Sequence, residues 1–179
     1  MKAHSLIAIC LLVFTLACKE DTPPSEPILK GSTTFYLIRH AEKERSNPED
    51  ADPELNQKGL GRAMHWAEIL DDVSLDAIYS TDYNRTSMTA APVSVKQNVD
   101  VQYYDQETWD IDKLKRDHIN QKVLIVGHSN TTPDMVNKLL GEEKYGQLDD
   151  NENGALFIVT LIDGEASATR LNFSCNCPR

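Results

Sequence analysis

Two periods of apolar residues alternate along most of this chain. Thr33 to Ile38 (TTFYLI) is β-branched, aromatic and apolar on both faces, as a strand covered on both sides should be. From about Pro53 to Asp71 the apolar residues Leu55, Leu60, Ala63, Met64, Ala67 and Leu70 recur at helical spacing. Gly59 and Gly61 weaken that helix locally and leave room for another backbone. Leu75 to Thr81 predicts a short strand, and Asn84 to Val95 a helix that Pro92 should end or kink. Val99 to Tyr104 alternates apolar and polar residues, the pattern of a half-exposed strand. Ile111 to Asn120 reads as an amphipathic helix and Lys122 to Gly127 (KVLIVG) as the central strand. A helix over Thr132 to Leu140 follows, with Thr131 or Thr132 as cap and Pro133 in its first turn. Ala155 to Ile162 and Ala168 to Phe173, parted by Asp163-Gly164, predict a closing hairpin. No internal repeat is present. Strand and helix alternate at the spacing of an α/β fold, a three-layer α/β/α sandwich with a mostly parallel central sheet.

The first residues stand outside this pattern. Leu6 to Ala17 is an apolar run broken only by Thr15, preceded by Lys2, and its twelve residues are too few to span a bilayer, which needs about 20. A basic start, a short apolar stretch and small Ala17 predict a secretory signal peptide over residues 1–17. The following residue is Cys18, and small-residue-then-Cys resembles the lipobox of bacterial lipoproteins, with Thr15 where Leu is usual. That resemblance implies cleavage before Cys18, its lipidation, and attachment to a bacterial envelope membrane, at its periplasmic face or the cell surface, through acyl chains alone. Residues 18–32 carry three prolines, charges and one apolar pair, Ile28-Leu29, so they read as a flexible tether. The folded domain is expected over 33–179.

Composition narrows the partners. The 179 residues carry 18 basic and 28 acidic side chains, a formal charge of −10, and loss of the signal with its single Lys takes this to −11. A field of that sign repels nucleic-acid backbones, so no nucleic-acid partner is expected. Cys175 and Cys177 form a C-x-C near the C-terminus. They either pair in an oxidising compartment or lie in an exposed tail without a catalytic role, and the two further soft ligands a metal would need are not near in sequence.

Candidate chemistry gathers after the strands. In open α/β sheets ligands bind beyond the carboxyl ends of strands, and three polar groups fall there. Arg39-His40 follows the first strand, Ser80 to Arg85 the second, and Gly127-His128-Ser129-Asn130 the central one. Two arginines can fork onto phosphate oxygens, and imidazole attacks phosphorus near neutral pH. A single histidine after a strand is more often a structural hydrogen-bonder. The coincidence of three clusters points instead to a phosphoryl-handling pocket. There is no G-x-S-x-G, H-E-x-x-H or P-loop motif.

These residues resemble the histidine phosphatase superfamily, the phosphoglycerate-mutase-like proteins. Leu37-Ile38-Arg39-His40-Ala41-Glu42 is similar to the family's R-H-G-E, with Ala41 in place of Gly. Leu55-Asn56-Gln57-Lys58-Gly59 with Ala63 is similar to its L-T-x-x-G-x-x-x-A helix, and Ser80 to Thr86 to its S-x-x-x-R segment. Val126-Gly127-His128 matches the motif of the second histidine. The resemblance covers about Phe35 to Leu140 and implies a phosphoglycerate-mutase-like fold. It implies His40 as the nucleophile that becomes phosphohistidine, Arg39 and Arg85 as clamps on the phosphoryl oxygens, His128 as a further donor, and neither metal nor cofactor. Asn130 either lines the pocket mouth or caps the following helix.

The proton donor is where the match stops. The candidates in the right region are Asp105, ranked first as nearest the strand end, and Glu107. Glu42 is a supporting position in this family. His128 stands only 43 positions after Arg85, which leaves no room for a cap domain. The expectation is an envelope-anchored phosphatase acting on a small phosphomonoester or phosphoanhydride. The alternative is a non-catalytic lipoprotein of the same fold that binds a phosphorylated ligand or a protein partner.

Overall fold

The structure, a computed structural model, describes residues 30–177. The expected signal peptide, Cys18 and all but the end of the tether lie outside these residues. In chain order the elements are β1 (Ser32–Arg39), α1 (Gln57–Ile69), a 3-10 turn (Asp71–Val73), β2 (Ala77–Ser80), α2 (Asn84–Gln97), β3 (Val101–Tyr103), α3 (Ile111–Asp117), β4 (Lys122–Gly127), α4 (Thr131–Leu140), β5 (Ala155–Ile162) and β6 (Glu165–Asn172). One sheet holds all six strands in the order β3-β2-β4-β1-β5-β6. β3, β2, β4 and β1 are mutually parallel, and β5 and β6 add an antiparallel hairpin beside β1. This is the expected sandwich with its mostly parallel sheet.

Alternate residues of the central strands feed two cores. Phe35 and Leu37 of β1 with Val123 and Ile125 of β4 pack under Leu114 of α3 and Met135, Val136 and Leu139 of α4. Ile38, Leu124 and Val126 point to the other face, onto Trp66 and Ala67 of α1 and Ala90 and Val93 of α2. Both faces of each strand are therefore apolar, which is why these segments read as unbroken hydrophobic runs.

Several element boundaries differ from expectation, and those of three helices have an identifiable cause. α1 starts at Gln57, because Asn56 caps it by accepting from the Gly59 N–H at 2.9 Å. α2 runs through Pro92 to Gln97. The proline removes the bond to the carbonyl four residues back, yet Ala90 and Val93 on either side are fully buried, and that packing holds the helix together. α4 starts at Thr131 with Asn130 at the cap position but no side-chain capping bond. The Thr131 hydroxyl accepts from the His128 N–H at 3.1 Å instead. Cys175 and Cys177 are disulfide-bonded to each other.

The expected close approach occurs at Gly59. A Cβ there would lie 2.1 Å from the backbone oxygen of Glu42, two residues past His40. Replacing Gly by Ala inside a helix normally stabilises by about 1 kcal/mol. Here Gly59→Ala should reverse the sign and destabilise by about 1–3 kcal/mol, because helix and loop must separate. Chemical denaturation decides between them, and a variant as stable as the native protein would refute the contact.

The segment from 141 to 154 determines what covers the site. α4 runs away from the carboxyl edge of the sheet, and β5 is antiparallel to β1, so the chain must first climb back to that edge. At its foot Asn137 holds the segment, donating to Glu143 and the Tyr145 carbonyl and accepting from the N–H groups of Lys144 and Tyr145. At its top the Leu148 N–H bonds the Ser129 carbonyl at 2.9 Å. Residues 149–153 then pass over the ends of β1 and β4.

Candidate active site

The β1–β4 register pairs Arg39 with Gly127, so His40 and His128 emerge side by side from neighbouring parallel strands. The His40 N–H donates to the Gly127 carbonyl at 2.9 Å, extending the ladder by one bond. The two imidazole centroids are 5.5 Å apart at 64°. On β4's other side, β2 ends at Ser80 opposite Val126, which brings Thr81 and the start of α2 to the same edge.

His40 is buried, and its Nδ1 lies 2.7 Å from the Ala41 carbonyl. Only a protonated Nδ1 satisfies that oxygen, so the neutral ring keeps the lone pair on Nε2. Burial, with the charges of Arg39, His128 and Arg85, lowers its pKa to about 3, against the help of the Ala41 carbonyl. The ring is thus unprotonated at neutral pH. Asn153 donates to the His40 carbonyl at 3.0 Å and fixes the backbone from above.

The His128 Nε2 lies 2.9 Å from the Thr81 hydroxyl, which lies 3.0 Å from the hydroxyl of Thr86. Burial and then Arg85, Arg39 and Lys43 lower the His128 pKa to about 4, with Asp52 opposing.

Arg39 is 2% exposed. Its Nη1 donates to the carbonyls of Asp149 and Asp150 at 2.8 and 3.1 Å, and its Nη2 to the Asp150 carboxylate at 2.9 Å. Its Nε has no partner among the described residues. Arg85 is held from two sides. Its Nη1 pairs with Asp52 at 3.2 Å, and its guanidinium lies 4.3 Å over the Tyr83 ring. Asp52 also accepts from the Asn84 N–H, so one carboxylate positions both the start of α2 and the arginine on it.

These side chains line a cavity of about 280 Å³ together with Lys43, Gln106, Ser129, Asn130 and Asp150. Sequence reasoning found His40, His128, Arg39 and Arg85, and the structure brings all four together. Asn130 lines the cavity and also occupies the cap position. Asp105 does not reach it. That residue is exposed, and its Oδ1 accepts from the Glu107 N–H at 2.8 Å, a local turn that directs the carboxylate outward. Glu107 is exposed as well, and the residue between them, Gln106, faces the cavity with a buried Oε1 lacking a partner among the described residues. Glu42 is engaged elsewhere. Arg62 forks onto it at 2.8 Å with both bonds and Lys58 adds a third contact, which outweighs burial and lowers its pKa. Thr81 and Tyr83 fall within the Ser80–Arg85 cluster, whereas Asp52, Lys43, Asp150 and Asn153 had no signal of their own, since their places depend on how loops pack.

A larger recess of about 370 Å³ lies on the far side of residues 149–154. Arg62 faces it but is committed to Glu42 and the Phe173 carbonyl. Among the described residues no group of three or more His, Cys, Asp and Glu could hold a metal ion.

The fold is shared with known proteins. Residues 35–106 match the model of the histidine phosphatase superfamily (branch 1). No curated protein matches the sequence. The protein histidine phosphatase SixA complexed with tungstate superposes with a TM-score of 0.61 at 15% identity, over 78% of this chain and 96% of that one. Phosphoglycerate mutase from Bacillus anthracis gives 0.62 at 16% identity, over 80% and 94%. The alpha-ribazole phosphatase of Shigella flexneri gives 0.60 at 18% identity, over 78% and 96%. Residues 35–106 are thus similar to the histidine phosphatase superfamily, and the fold is phosphoglycerate-mutase-like.

Proposed function

We propose that this protein is a phosphatase that hydrolyses a small phosphomonoester or phosphoanhydride through a phosphohistidine on His40. The observation that carries this reading is the state of His40. Its Nδ1–H is tied to the Ala41 carbonyl, which leaves the lone pair on Nε2, its pKa is held near 3, and it lines one cavity with Arg39, Arg85 and His128. Nε2 attacks phosphorus, while the two guanidinium groups and the His128 ring take up charge on the phosphoryl oxygens. Water then cleaves the N–P bond. The cavity holds about 280 Å³, and the chain between α2 and β4 holds only β3 and α3, which suits a small or exposed phosphoryl group. The motif around Cys18 supports the further proposal that the enzyme works from a lipid anchor in a bacterial envelope. Among the described residues no helix is long and apolar enough to cross a membrane.

The test is phosphate release from 4-nitrophenyl phosphate, followed by trapping of an alkali-stable, acid-labile phosphoryl label on His40. Absence of both turnover and label would refute the enzyme. For the anchor, Cys18→Ala should move the protein from the membrane to the soluble fraction of its cells, and unchanged fractionation would dismiss it.

A further inference from the structure

We propose that Asp150, on the segment that climbs back over the sheet, is the proton donor to the leaving group. The inference rests on the phosphatase reading above and supplies the acid that reading lacks. Among the described residues, Asp150 contributes the one carboxylate lining the cavity that holds His40 and His128. Gln106 lines it too, but an amide has no proton to give at neutral pH.

Asp150 spans from the mouth of the cavity to its floor. Its side chain is 62% exposed, yet Oδ1 reaches Nη2 of Arg39, whose side chain is 3% exposed, at 2.9 Å. Oδ2 meets Nη2 of Arg45 at 2.8 Å. Arg39 is bound unevenly. Its Nη1 is fixed by main-chain carbonyls, whereas Nε is buried without a partner among the described residues and Nη2 has only the Asp150 carboxylate. Nε and Nη2 form the edge of a guanidinium that binds two oxygens of one anion. A phosphoryl group taking that edge satisfies the orphaned Nε and moves Asp150 off Nη2, without disturbing the bonds that hold Arg39 in place.

The exchange changes the charge around Asp150 at the required moment. In the free site Arg39 and Arg45 keep its pKa below the ordinary carboxylate value. With Arg39 turned to the phosphoryl oxygens, the carboxylate loses its buried cationic partner and gains a dianion as neighbour, both of which favour protonation. The remaining partner, Arg45, is half exposed and its attraction is screened by water.

In the first step the Nε2 lone pair of His40 forms the N–P bond as the P–O bond breaks. The bonding pair stays on the leaving oxygen, which takes the proton from the Asp150 carboxyl. In the second step the Asp150 carboxylate takes a proton from water as the water oxygen bonds phosphorus, and the N–P pair returns to Nε2. Alcohol and phosphate leave, and the carboxyl is again protonated.

The experiment compares the native protein with Asp150→Asn on two substrates, 4-nitrophenyl phosphate, whose leaving group needs no proton, and ethyl phosphate, whose leaving group does. We expect kcat on ethyl phosphate to fall about 10²–10⁴-fold, with little change on the aryl ester. Asp150→Glu should recover part of the loss on ethyl phosphate, and it also serves if the Asn variant folds poorly. Equal losses on both esters would make Asp150 a mere support for Arg39 and overturn the proposal. Equal gains, with a lower KM, would make it only an occupant of the clamp and overturn the proposal as well. The selective loss appearing in Asp105→Asn instead would also overturn it. A native protein active on the aryl ester alone sinks this proposal and spares the phosphatase, whereas one inactive on both sinks the two together.

Discussion

His40→Ala should reduce phosphate release by about 10⁴-fold or more, as removal of a covalent nucleophile does elsewhere. No neighbouring group can substitute. The other imidazole, 5.5 Å away between ring centroids, has its Nε2 engaged by Thr81. The substitution should leave the fold intact, because the ring's one hydrogen bond goes to the adjacent Ala41 carbonyl. The backbone bonds of His40 to Gly127 and Asn153 do not involve its side chain. Binding of inorganic phosphate should survive, since Arg39, Arg85 and His128 remain. Turnover within tenfold of the native rate would exclude His40 as nucleophile. The same variant has a pH signature. Burial first, then Arg39, His128 and Arg85, hold the folded-state pKa near 3, whereas the unfolded chain takes up its proton near the ordinary 6.5. As pH falls from 6.5 toward 3 the unfolded state therefore binds a proton that the folded state refuses, and stability declines. Without that imidazole the Tm of His40→Ala should fall less over this window. Glu42 and Asp150, with pKa values lowered in the fold, weaken both proteins below about pH 4 and do not separate them.

How far the chain could be read before its structure was known follows from which interactions are local. β1 and β4 are apolar on both faces because both faces are covered, so their places in the sheet, and the two histidines just past their ends, were legible together. Arg85 was legible for a similar reason, at the second residue of a helix that begins just after β2 ends. Asp105 does not line the cavity, because proximity to a strand end says nothing about side-chain direction. The Glu107 N–H two residues on captures its carboxylate and turns it outward. Asp150 and Asn153 were illegible because their position over His40 depends on the direction of a strand they precede. Only when β5 is known to run antiparallel must the segment before it return to the carboxyl edge. Pro92 shows the opposite balance, a strong local signal overridden by burial of Ala90 and Val93.

Arg39→Ala should damage activity and stability together, which distinguishes it from a surface clamp. Loss of a preorganised donor to the phosphoryl oxygens lowers kcat by about 10²–10³-fold. The structural cost has a separate origin. The Arg39 guanidinium is the anchor for the carbonyls of Asp149 and Asp150 and for the Asp150 carboxylate, so removing it frees the top of the 141–154 segment. Each partly buried acceptor left unpaired costs about 1–3 kcal/mol, reduced where water reaches it, and a total near 3 kcal/mol is expected. Arg39→Lys keeps the charge but cannot meet carbonyls and an anion at once, so it should preserve more stability than activity. Inorganic phosphate separates the two roles. In the native protein it satisfies the orphaned Nε and should raise Tm with concentration, as any ligand of the folded state does. In Arg39→Ala that rise should largely vanish, because Arg85 remains the one guanidinium lining the cavity and Asp52 already engages it. A variant that keeps the full phosphate-dependent increase would show that Arg39 holds the segment and does not bind the substrate.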